Sequence, residues 1–300
     1  MNIRYGKLFK LPRIIVKYTL SAIYPFIIKI WPLPNVLSID ETLDKIINDK
    51  CSISRFGDGE FLYIIDKLNL PFQRQELSLR ARLIEVLKAE DPNILVGLPI
   101  GYHSLNNLKK SSQRTWRSQI SWIYPRLSRY IDKKKTYYNS SITRPYFDFE
   151  NKDGCKNYFD KLMMIWNNRE IILVEGEKSR LGVGNNLFDN AKNVKRILAP
   201  HHHAFTKYDE IINQVLCQDK SKLVLIALGP SATAMSYDLA QMGFQAIDIG
   251  NIDIEYEWYI RKTLTKIKIP GKYTSEVVGG RYVEEIRDSL YESQILTRII

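Results

Sequence analysis

Two carboxylates and two glycines follow a short predicted strand near the start of the chain. Cys51 to Phe56 is predicted to form a strand, and Gly57-Asp58-Gly59-Glu60 comes directly after it. The glycines, Gly57 among them, allow a tight turn, so Asp58 and Glu60 can both point at one Mg²⁺ or Mn²⁺ and leave positions open for phosphate oxygens. Arg55 can pair with a phosphate. The alternative is a solvated turn in which Asp58 caps the next helix.

A second loop combines glycines with basic residues. It runs from Glu175 to Asn185, directly after the apolar run Ile171 to Val174. Gly182 and Gly184 free the backbone to curl around an anion, and positive charge comes from Lys178 and Arg180. This pattern predicts phosphate binding, although it lacks the spacing of a nucleotide-triphosphatase loop. An ordinary strand-to-helix loop is the alternative.

Hydroxyl groups follow the apolar strand that ends near Ala227. Ser231 and Thr233 lie where the first turn of the next helix would meet a pyrophosphate. The following strand ends in Asp248, which resembles the strand-end acid of dinucleotide-binding folds, but the usual glycine fingerprint is absent. An ordinary helix cap is the alternative.

Three acids crowd together just past that strand. Asp253, Glu255 and Glu257 lie beside Tyr256 and Trp258. Such acids repel one another unless a cation or a donor-rich ligand gathers them, so Asp253 and Glu255 are candidate catalytic residues. A helix start enriched in acids is the competing interpretation. The triplet His201 to His203 is interpreted as a polar loop with one substrate contact, because adjacent residues point in different directions.

The pattern of elements predicts an α/β fold with a mostly parallel sheet covered by helices on both faces. Ser38 and Glu41 form a capping box at the start of a helix. The predicted strands cover residues 51–56, 93–99, 136–144, 170–176, 194–200, 222–229 and 245–250, and the predicted helices cover 75–90, 112–130, 155–167, 205–217 and 232–242. The stretch after Pro270 has no clear assignment.

Charge divides the chain into an appendage, residues 1–37, and one domain, residues 38–300. The net charge is +11, and residues 1–39 carry six basic side chains and no acid. This front-loading disfavours nucleic acid as a partner. The apolar stretch Tyr18 to Ile28 is too short to cross a bilayer, and Pro25 is expected to break a longer helix. Residues 1–37 therefore either contact an anionic membrane surface or pack on the domain or a second subunit.

Three widely spaced cysteines, Cys51, Cys155 and Cys217, are typical of reduced thiols in a cytoplasmic protein. The predicted location is therefore the cytoplasm, with peripheral contact at the inner face of the membrane through residues 1–37. Packing of residues 1–37 on a second subunit would make the protein a homo-oligomer.

Six segments in fixed order resemble the GT-D glycosyltransferase family: RFGDGE, SITRPY, VEGEKSRLGVGN, LGPSAT, YDLA and DIGNIDIEYEW, between about Ser52 and Tyr273. The resemblance implies a Rossmann-like fold, a sugar-nucleotide donor such as UDP-glucose, a divalent metal, and an Asp-x-Glu motif at Asp58 and Glu60. It also implies a role in bacterial surface polysaccharide or glycoprotein assembly. Family members commonly have His where this chain has Asn251.

These observations predict a metal-dependent hexosyltransferase. The metal would be held by Asp58 and Glu60, and the acceptor would be a glycan, a glycoprotein or a lipid-linked sugar. An inactive sugar-nucleotide-binding module and another Rossmann-like transferase are the alternatives. The donor would be bound by Arg55, Gly57, Lys178, Arg180, Gly182, Gly184, Asn185, Ser231, Thr233 and Asp248.

Overall fold

The chain folds around one nine-stranded sheet in which every strand pairing is parallel. The structure is a computed structural model that describes residues 10–285 and 287–300. The strands occur in the spatial order β1-β4-β3-β2-β8-β7-β5-β6-β9. Their bounds are β1 Asn35–Val36, β2 Ser52–Arg55, β3 Ile94–Leu98, β4 Thr136–Asn139, β5 Glu170–Gly176, β6 Asn193–Ala199, β7 Leu223–Ala227, β8 Gln245–Asp248 and β9 Ile295–Arg298.

Helices connect these strands and cover the sheet. None of the helices in the described ranges is long and apolar enough to cross a membrane. Their bounds are α1 Lys10–Ile30, α2 Ile39–Asp49, α3 Asp58–Asp66, α4 Leu77–Lys88, α5 Ile100–His103, α6 Lys110–Leu127, α7 Cys155–Met163, α8 Tyr208–Leu216, α9 Pro230–Gln241, α10 Ile252–Ile260 and α11 Ser289–Gln294.

The central strands are apolar on both sides because both faces of the sheet are covered. In β7, Leu223 and Leu225 enter the core on one face, whereas Val224 and Ile226 enter the core on the other. The predicted parallel α/β fold is therefore confirmed. The capping box that starts α2 is also present, since Ser38 Oγ accepts from the Glu41 N–H and the Glu41 carboxylate accepts from the Ser38 N–H.

Three features differ from the sequence prediction. Asp58 and Glu60 lie in the first turn of α3 rather than in an open loop, because Gly57 serves as the N-cap. Helix α1 continues through Pro25 and ends at Ile30, so that proline did not break it. The unassigned C-terminal stretch contributes β9, which adds to the sheet beside β6.

The strand order reverses between β2 and β8, which lie side by side at the middle of the sheet. From β2 the chain moves outward through β3 and β4, whereas β8 is reached from the opposite side through β7. Since all strands are parallel, their carboxyl ends meet along one edge. An open α/β sheet binds its ligand at such a reversal point.

Candidate active site

A cleft of about 710 Å³ lies at this carboxyl edge. Loops that follow β2 through β8 line it, and helix α6 forms one wall. The α6 side chains on that wall include Trp116 and Gln119. The cleft is large enough for a nucleotide-sized ligand.

An ion pair between the two central strands forms part of the cleft lining. Arg55 ends β2 and Asp248 ends β8, and the distance between Nη2 and Oδ1 is 3.1 Å. The Arg55 guanidinium also donates to the carbonyl of Ser140 at 2.8 Å and to the hydroxyl of Thr143. Burial raises the pKa of Asp248, while Arg55 acts in the opposite direction. The predicted phosphate ligand Arg55 therefore already carries a fixed protein partner.

Gly250 makes room for this ion pair. Its φ is +46°, in the left-handed region that favours glycine. A Cβ at this position would lie 2.1 Å from Nη2 of Arg55. The glycine therefore permits the close packing of the loop after β8 against Arg55.

Asp58 is held at the start of α3 by contacts from two sides. Its Oδ1 accepts from the Gly59 N–H at 3.1 Å, and its Oδ2 accepts from the Gln119 side chain at 2.8 Å. Because Gln119 belongs to α6, the bond links two walls of the cleft. The carboxylate is thereby oriented before any ligand arrives.

Glu60 lies two residues further along α3 and also lines the cleft. Its Oε2 accepts from the Gly57 N–H at 2.9 Å. Burial raises the pKa of Glu60 to about 7, and the carboxylates of Asp248 and Asp58 act in the same direction. A nearby cation would favour the ionised form, because it would offset both causes.

Asp58 and Glu60 are the two carboxylates available for a divalent cation in this part of the cleft. In residues 10–285 and 287–300, no three His, Cys, Asp or Glu side chains converge on one point. Mg²⁺ commonly binds through one or two carboxylates and completes its shell with water and substrate phosphate oxygens. Asp58 and Glu60 fit such a site, in which the ligand supplies part of the coordination shell.

A positively charged patch lies elsewhere in the same cleft. Glu276 accepts from Arg144 at 2.6 Å and from Asn251 at 3.1 Å, and it also pairs with Lys266. Burial would raise the pKa of Glu276, but Arg144 and Lys266 outweigh burial and hold that pKa well below its usual range. Two cations facing one anion leave a net positive charge, which suits a phosphate.

His201 enters the cleft beside Glu177. The distance between its Nδ1 and Glu177 Oε1 is 2.6 Å. By contrast, His203 Nδ1 accepts from the Arg74 N–H, and its φ is +56°. Burial lowers the pKa of His202. The three histidines thus have different environments. The substrate contact expected for this loop stays a prediction, and His201 is the histidine that lies in the cleft to make it.

The basic and glycine residues after β5 lie away from the cleft lining. The buried Arg180 guanidinium donates to the carbonyls of Gly271 at 2.9 Å and Glu284 at 2.8 Å. Gly182 is packed so closely that a Cβ would lie 2.5 Å from Phe188. These contacts tie the loop to the C-terminal segment. Lys178 and Gly184 also lie outside the cleft lining.

The three acids of α10 are buried and bonded to protein donors. Asp253 accepts from the Gly182 N–H and from Asn185, both at 2.8 Å, and Lys272 Nζ lies 2.7 Å from its second oxygen. Glu257 accepts from Asn185 at 2.7 Å. The sequence suggested that a cation or a donor-rich ligand gathers these acids. For Asp253 and Glu257 the cation is the protein's own Lys272, assisted by the Asn185 amide and, at Glu257, by Arg261.

Glu255 has a similar structural environment. Its Oε1 accepts from the N–H groups of Tyr146 at 3.0 Å and Phe147 at 2.6 Å, and burial raises its pKa. The carboxylate therefore fixes the turn after β4. The structure does not bring Asp253 or Glu255 to the cleft, contrary to the expected direct catalytic contact.

Thr233 and Ser231 contribute from within α9. Thr233 Oγ1 lies 2.8 Å from the Arg55 carbonyl and 3.2 Å from Asp248 Oδ2, so it braces the central ion pair. Ser231 is fully buried, and its Oγ has no hydrogen-bond partner in the described structure. Only the N-cap of this helix, Gly229, reaches the cleft lining.

Several cleft residues were not selected from the sequence: Trp116, Gln119, Lys266 and Glu276 among them. They come from α6 and from the C-terminal segment, and none of them directly follows a predicted strand. Arg144 lies within the SITRPY segment, which is one of the segments that resemble the family. That resemblance could have indicated Arg144 as a site residue. Their contribution follows from tertiary packing.

The fold and the cleft define the chain as a Rossmann-like α/β protein with an acidic pair and a cationic patch in one ligand cleft. The model of the glycosyltransferase GT-D fold matches residues 53–277. The chain therefore belongs to the GT-D glycosyltransferase family.

Curated relatives from two streptococci agree. Glycosyltransferase GlyD of Streptococcus pneumoniae serotype 4 is 37% identical over 266 residues, which cover 88% of this chain and 32% of the relative. The probable glycosyl transferase Gly of Streptococcus gordonii is 36% identical and is covered over 39% of its length. The chain thus spans roughly a third of the length of these relatives.

Solved structures match over nearly their whole length. A glycosyltransferase from Streptococcus sanguinis superposes with a TM-score of 0.84 at 34% identity, covering 89% of this chain and all of that one. A domain described as having a distinct glycosyltransferase fold gives the same TM-score at 32% identity, covering 95% of this chain and 99% of that one. These matches confirm the predicted family and fold.

Proposed function

We propose that this chain transfers a hexose from a nucleotide-sugar donor to a hydroxyl group of a glycan, glycoprotein or lipid-linked acceptor. The observation that carries the proposal is the presence of an oriented acidic pair, Asp58 and Glu60, and a cationic patch, Arg144 and Lys266, in one cleft. A nucleotide-sugar donor needs the acidic pair and the cationic patch. The negative charge of its diphosphate must be bound first and then stabilised when the diphosphate departs from the sugar. UDP-glucose is the donor that the family resemblance favours.

In this proposal Asp58 and Glu60 would hold Mn²⁺ or Mg²⁺ when the donor is bound. The cation supplies charge neutralisation of the departing diphosphate. Gln119 keeps Asp58 oriented, while the Gly57 N–H keeps Glu60 oriented. Arg144 and Lys266 attract the diphosphate, and Trp116 offers an aromatic face to the sugar or the base.

His201 is the proposed acceptor of the hydroxyl proton. It lines the cleft, and Glu177 fixes its ring through Nδ1. A carboxylate in this position stabilises the imidazolium that forms when Nε2 takes a proton. His201→Gln should lower kcat by about a hundredfold or more with donor KM unchanged. An unchanged kcat would remove His201 from this role.

The direct test is nucleotide release from a panel of UDP-, GDP- and dTDP-sugars, first with Mn²⁺ and then with EDTA. Release from one donor that stops with EDTA supports the proposal and identifies the sugar. Glu60→Gln should abolish release while the protein still unfolds cooperatively. Full turnover by this variant would contradict the proposed acidic pair.

A binding module without turnover is the second candidate, favoured by Asn251. Its side-chain amide donates to Glu276 and has no basic nitrogen with which to accept a proton. The two candidates differ in one measurement. Calorimetric binding of a donor without release, with and without acceptor sugars, would identify a binding module.

A further inference from the structure

Helix α1 exposes an apolar face that the domain does not cover. Seven of the 21 exposed large apolar side chains in the described ranges lie on this one helix. Ile15, Phe26 and Ile30 are 58%, 70% and 65% exposed. With Ala22, they follow helical spacing and form one outward stripe, which we call the outer face of α1.

The opposite face of α1 is anchored to the domain. Lys17 Nζ donates to Thr115 of α6 at 2.7 Å, and the Arg114 guanidinium lies 4.3 Å from the centre of the Tyr18 ring. Tyr24 and Ile28 pack against the buried core cluster that includes Tyr124. The outer face is therefore held outward, rather than being free to rotate into the core. A helix that is apolar all round normally has both faces covered.

The charge carried by α1 and by its neighbour α6 is predominantly positive. Helices α1 and α6 contain no acidic residue. Their basic residues with described side chains are Arg13, Lys17 and Lys29 in α1 and Lys110, Arg114, Arg117 and Arg126 in α6. Of these, Arg126 pairs with Asp66 of α3. A second copy of the chain that covered the outer face would bring two such surfaces together, at a cost in repulsion. An anionic surface would be attracted instead.

We propose that the outer face of α1 inserts into the interfacial layer of a membrane that contains anionic phospholipid. Exposed apolar side chains flanked by lysine and arginine are the features of helices that lie in this layer. Each cation brought to such a surface strengthens binding by about fivefold. Helix α1 lies along the membrane plane in this arrangement and does not cross it.

This orientation affects the cleft. Helix α6 packs on α1, and its Thr115 and Trp116 also line the cleft. The cleft wall would thus lie about 10 Å, one helix packing distance, from the lipid-bound helix. An acceptor carried on a lipid would therefore be presented near the site. Membrane contact itself does not depend on the proposed catalytic function.

The test is cosedimentation of the full chain with vesicles of phosphatidylcholine alone and of phosphatidylcholine mixed with phosphatidylglycerol. We expect binding to the mixed vesicles that weakens as salt is raised, because surface attraction is screened. The triple variant Ile15→Ser, Phe26→Ser, Ile30→Ser should reduce binding by more than about tenfold. A matched control, Leu77→Ser, Leu264→Ser, Leu290→Ser, removes three apolar side chains outside α1 and α6 that are at least as exposed, and it should bind as the wild type does.

Three results would overturn the proposal. The first is wild-type protein that stays in the supernatant when it is mixed with the vesicles that contain phosphatidylglycerol. Equal loss of binding in the control triple would show that the outer face is not special. A wild-type dimer in light scattering that the α1 triple converts to monomer would identify a second copy as the occupant instead. Circular dichroism of both triples checks that each has folded.

Discussion

At the scale of single residues, the carboxylate of Glu60 gives cation binding a specific pH dependence. Its pKa is raised to about 7, chiefly by burial. Below this pH the group is mostly protonated, and a cation must displace the proton. Affinity for Mn²⁺ should therefore fall by up to about tenfold for each pH unit below 7 and level off above it.

Isothermal titration with Mn²⁺ between pH 5 and pH 8 measures this dependence. Glu60→Gln provides the control, since it keeps a side chain that can accept from the Gly57 N–H but has no proton to lose. The variant should bind the cation weakly and show little dependence on pH near 7. A wild-type affinity that is flat across the range would contradict the role of Glu60 as a ligand.

Ionisation of Glu60 also affects stability, and its sign follows from linkage. Because the pKa of Glu60 is higher in the folded protein than its ordinary value of 4.5, the folded state binds more protons between these two pH values. Stability therefore falls as pH rises from about 4.5 to about 7 in the absence of a cation. The Glu60→Gln variant lacks this dependence. When both proteins are unfolded in EDTA, the free energy of unfolding of the variant should therefore rise relative to that of the wild type as pH increases.

Gly250 supports a second prediction at this scale. In Gly250→Ala, the new methyl group would collide with the Arg55 guanidinium, and the backbone would remain at φ +46°. We expect a loss of about 2–4 kcal/mol in the free energy of unfolding and a marked fall in transfer activity. Chemical denaturation and an activity assay measure the two effects.

Gly184→Ala is the matched control for this variant. Gly184 also has a positive φ, +76°, but a Cβ there would meet nothing within 4 Å. The Gly184→Ala variant should lose only about 1 kcal/mol in the free energy of unfolding, the cost of holding an alanine in the left-handed conformation. Equal losses in the two variants would show that contact with Arg55 is unimportant.

At the scale of elements, Arg180 connects the loop after β5 to the C-terminal segment. Arg180→Leu removes the donors of two carbonyl groups, those of Gly271 and Glu284. We expect a loss of about 2–4 kcal/mol and faster proteolysis between residues 271 and 285. Donor affinity should fall as a consequence, because Glu276 and its cations lie in or beside that segment.

Lys178→Ala separates this structural role from direct phosphate binding. Lys178 is half-buried in the same loop and lies outside the cleft lining. We expect stability to change by less than about 0.5 kcal/mol, with donor affinity close to the wild type. A large loss of donor affinity in a fully stable Lys178→Ala protein would restore the phosphate role predicted from the sequence.

The sequence predicts elements better than it predicts contacts between them. Local signals define α2, where Ser38 and Glu41 cap the helix, and β7, which is an uninterrupted apolar run. Strand ends also identify Asp58, Glu60 and Asp248 as cleft residues. The role of Asp253 could not be predicted in this way, since its partner Lys272 is 19 residues distant in sequence. Asn185 is 68 residues away.

At the scale of the whole molecule, parallel pairing throughout the sheet explains why distant segments form one site. All nine strands point their carboxyl ends to the same edge, so loops separated by up to 193 residues, such as those with Arg55 and Asp248, come into contact. Helix α6 then joins this edge to α1, because one of its faces lines the cleft and another packs on α1.

The boundary of the domain supports a last prediction. The sequence divides residues 1–37 from the rest, and the family model begins only at residue 53. Nevertheless, Tyr24 and Ile28 pack against the buried core cluster that includes Tyr124. If α1 belongs to the cooperative fold, Tyr24→Ala with Ile28→Ala should lower the free energy of unfolding by about 2–4 kcal/mol. Phe26→Ala with Ile30→Ala, on the outer face of the same helix, should change it by less than about 1 kcal/mol.

Denaturant unfolding followed by tryptophan fluorescence and by circular dichroism measures both variants. The comparison is informative because the two pairs alter the same helix and differ in the face they occupy. An unchanged free energy for Tyr24→Ala with Ile28→Ala would mean that α1 unfolds separately from the sheet, and the boundary predicted at residue 37 would then be a true domain boundary. A loss confined to the inner pair would make α1 part of the domain, rigid enough to hold its outer face in a fixed direction relative to the cleft.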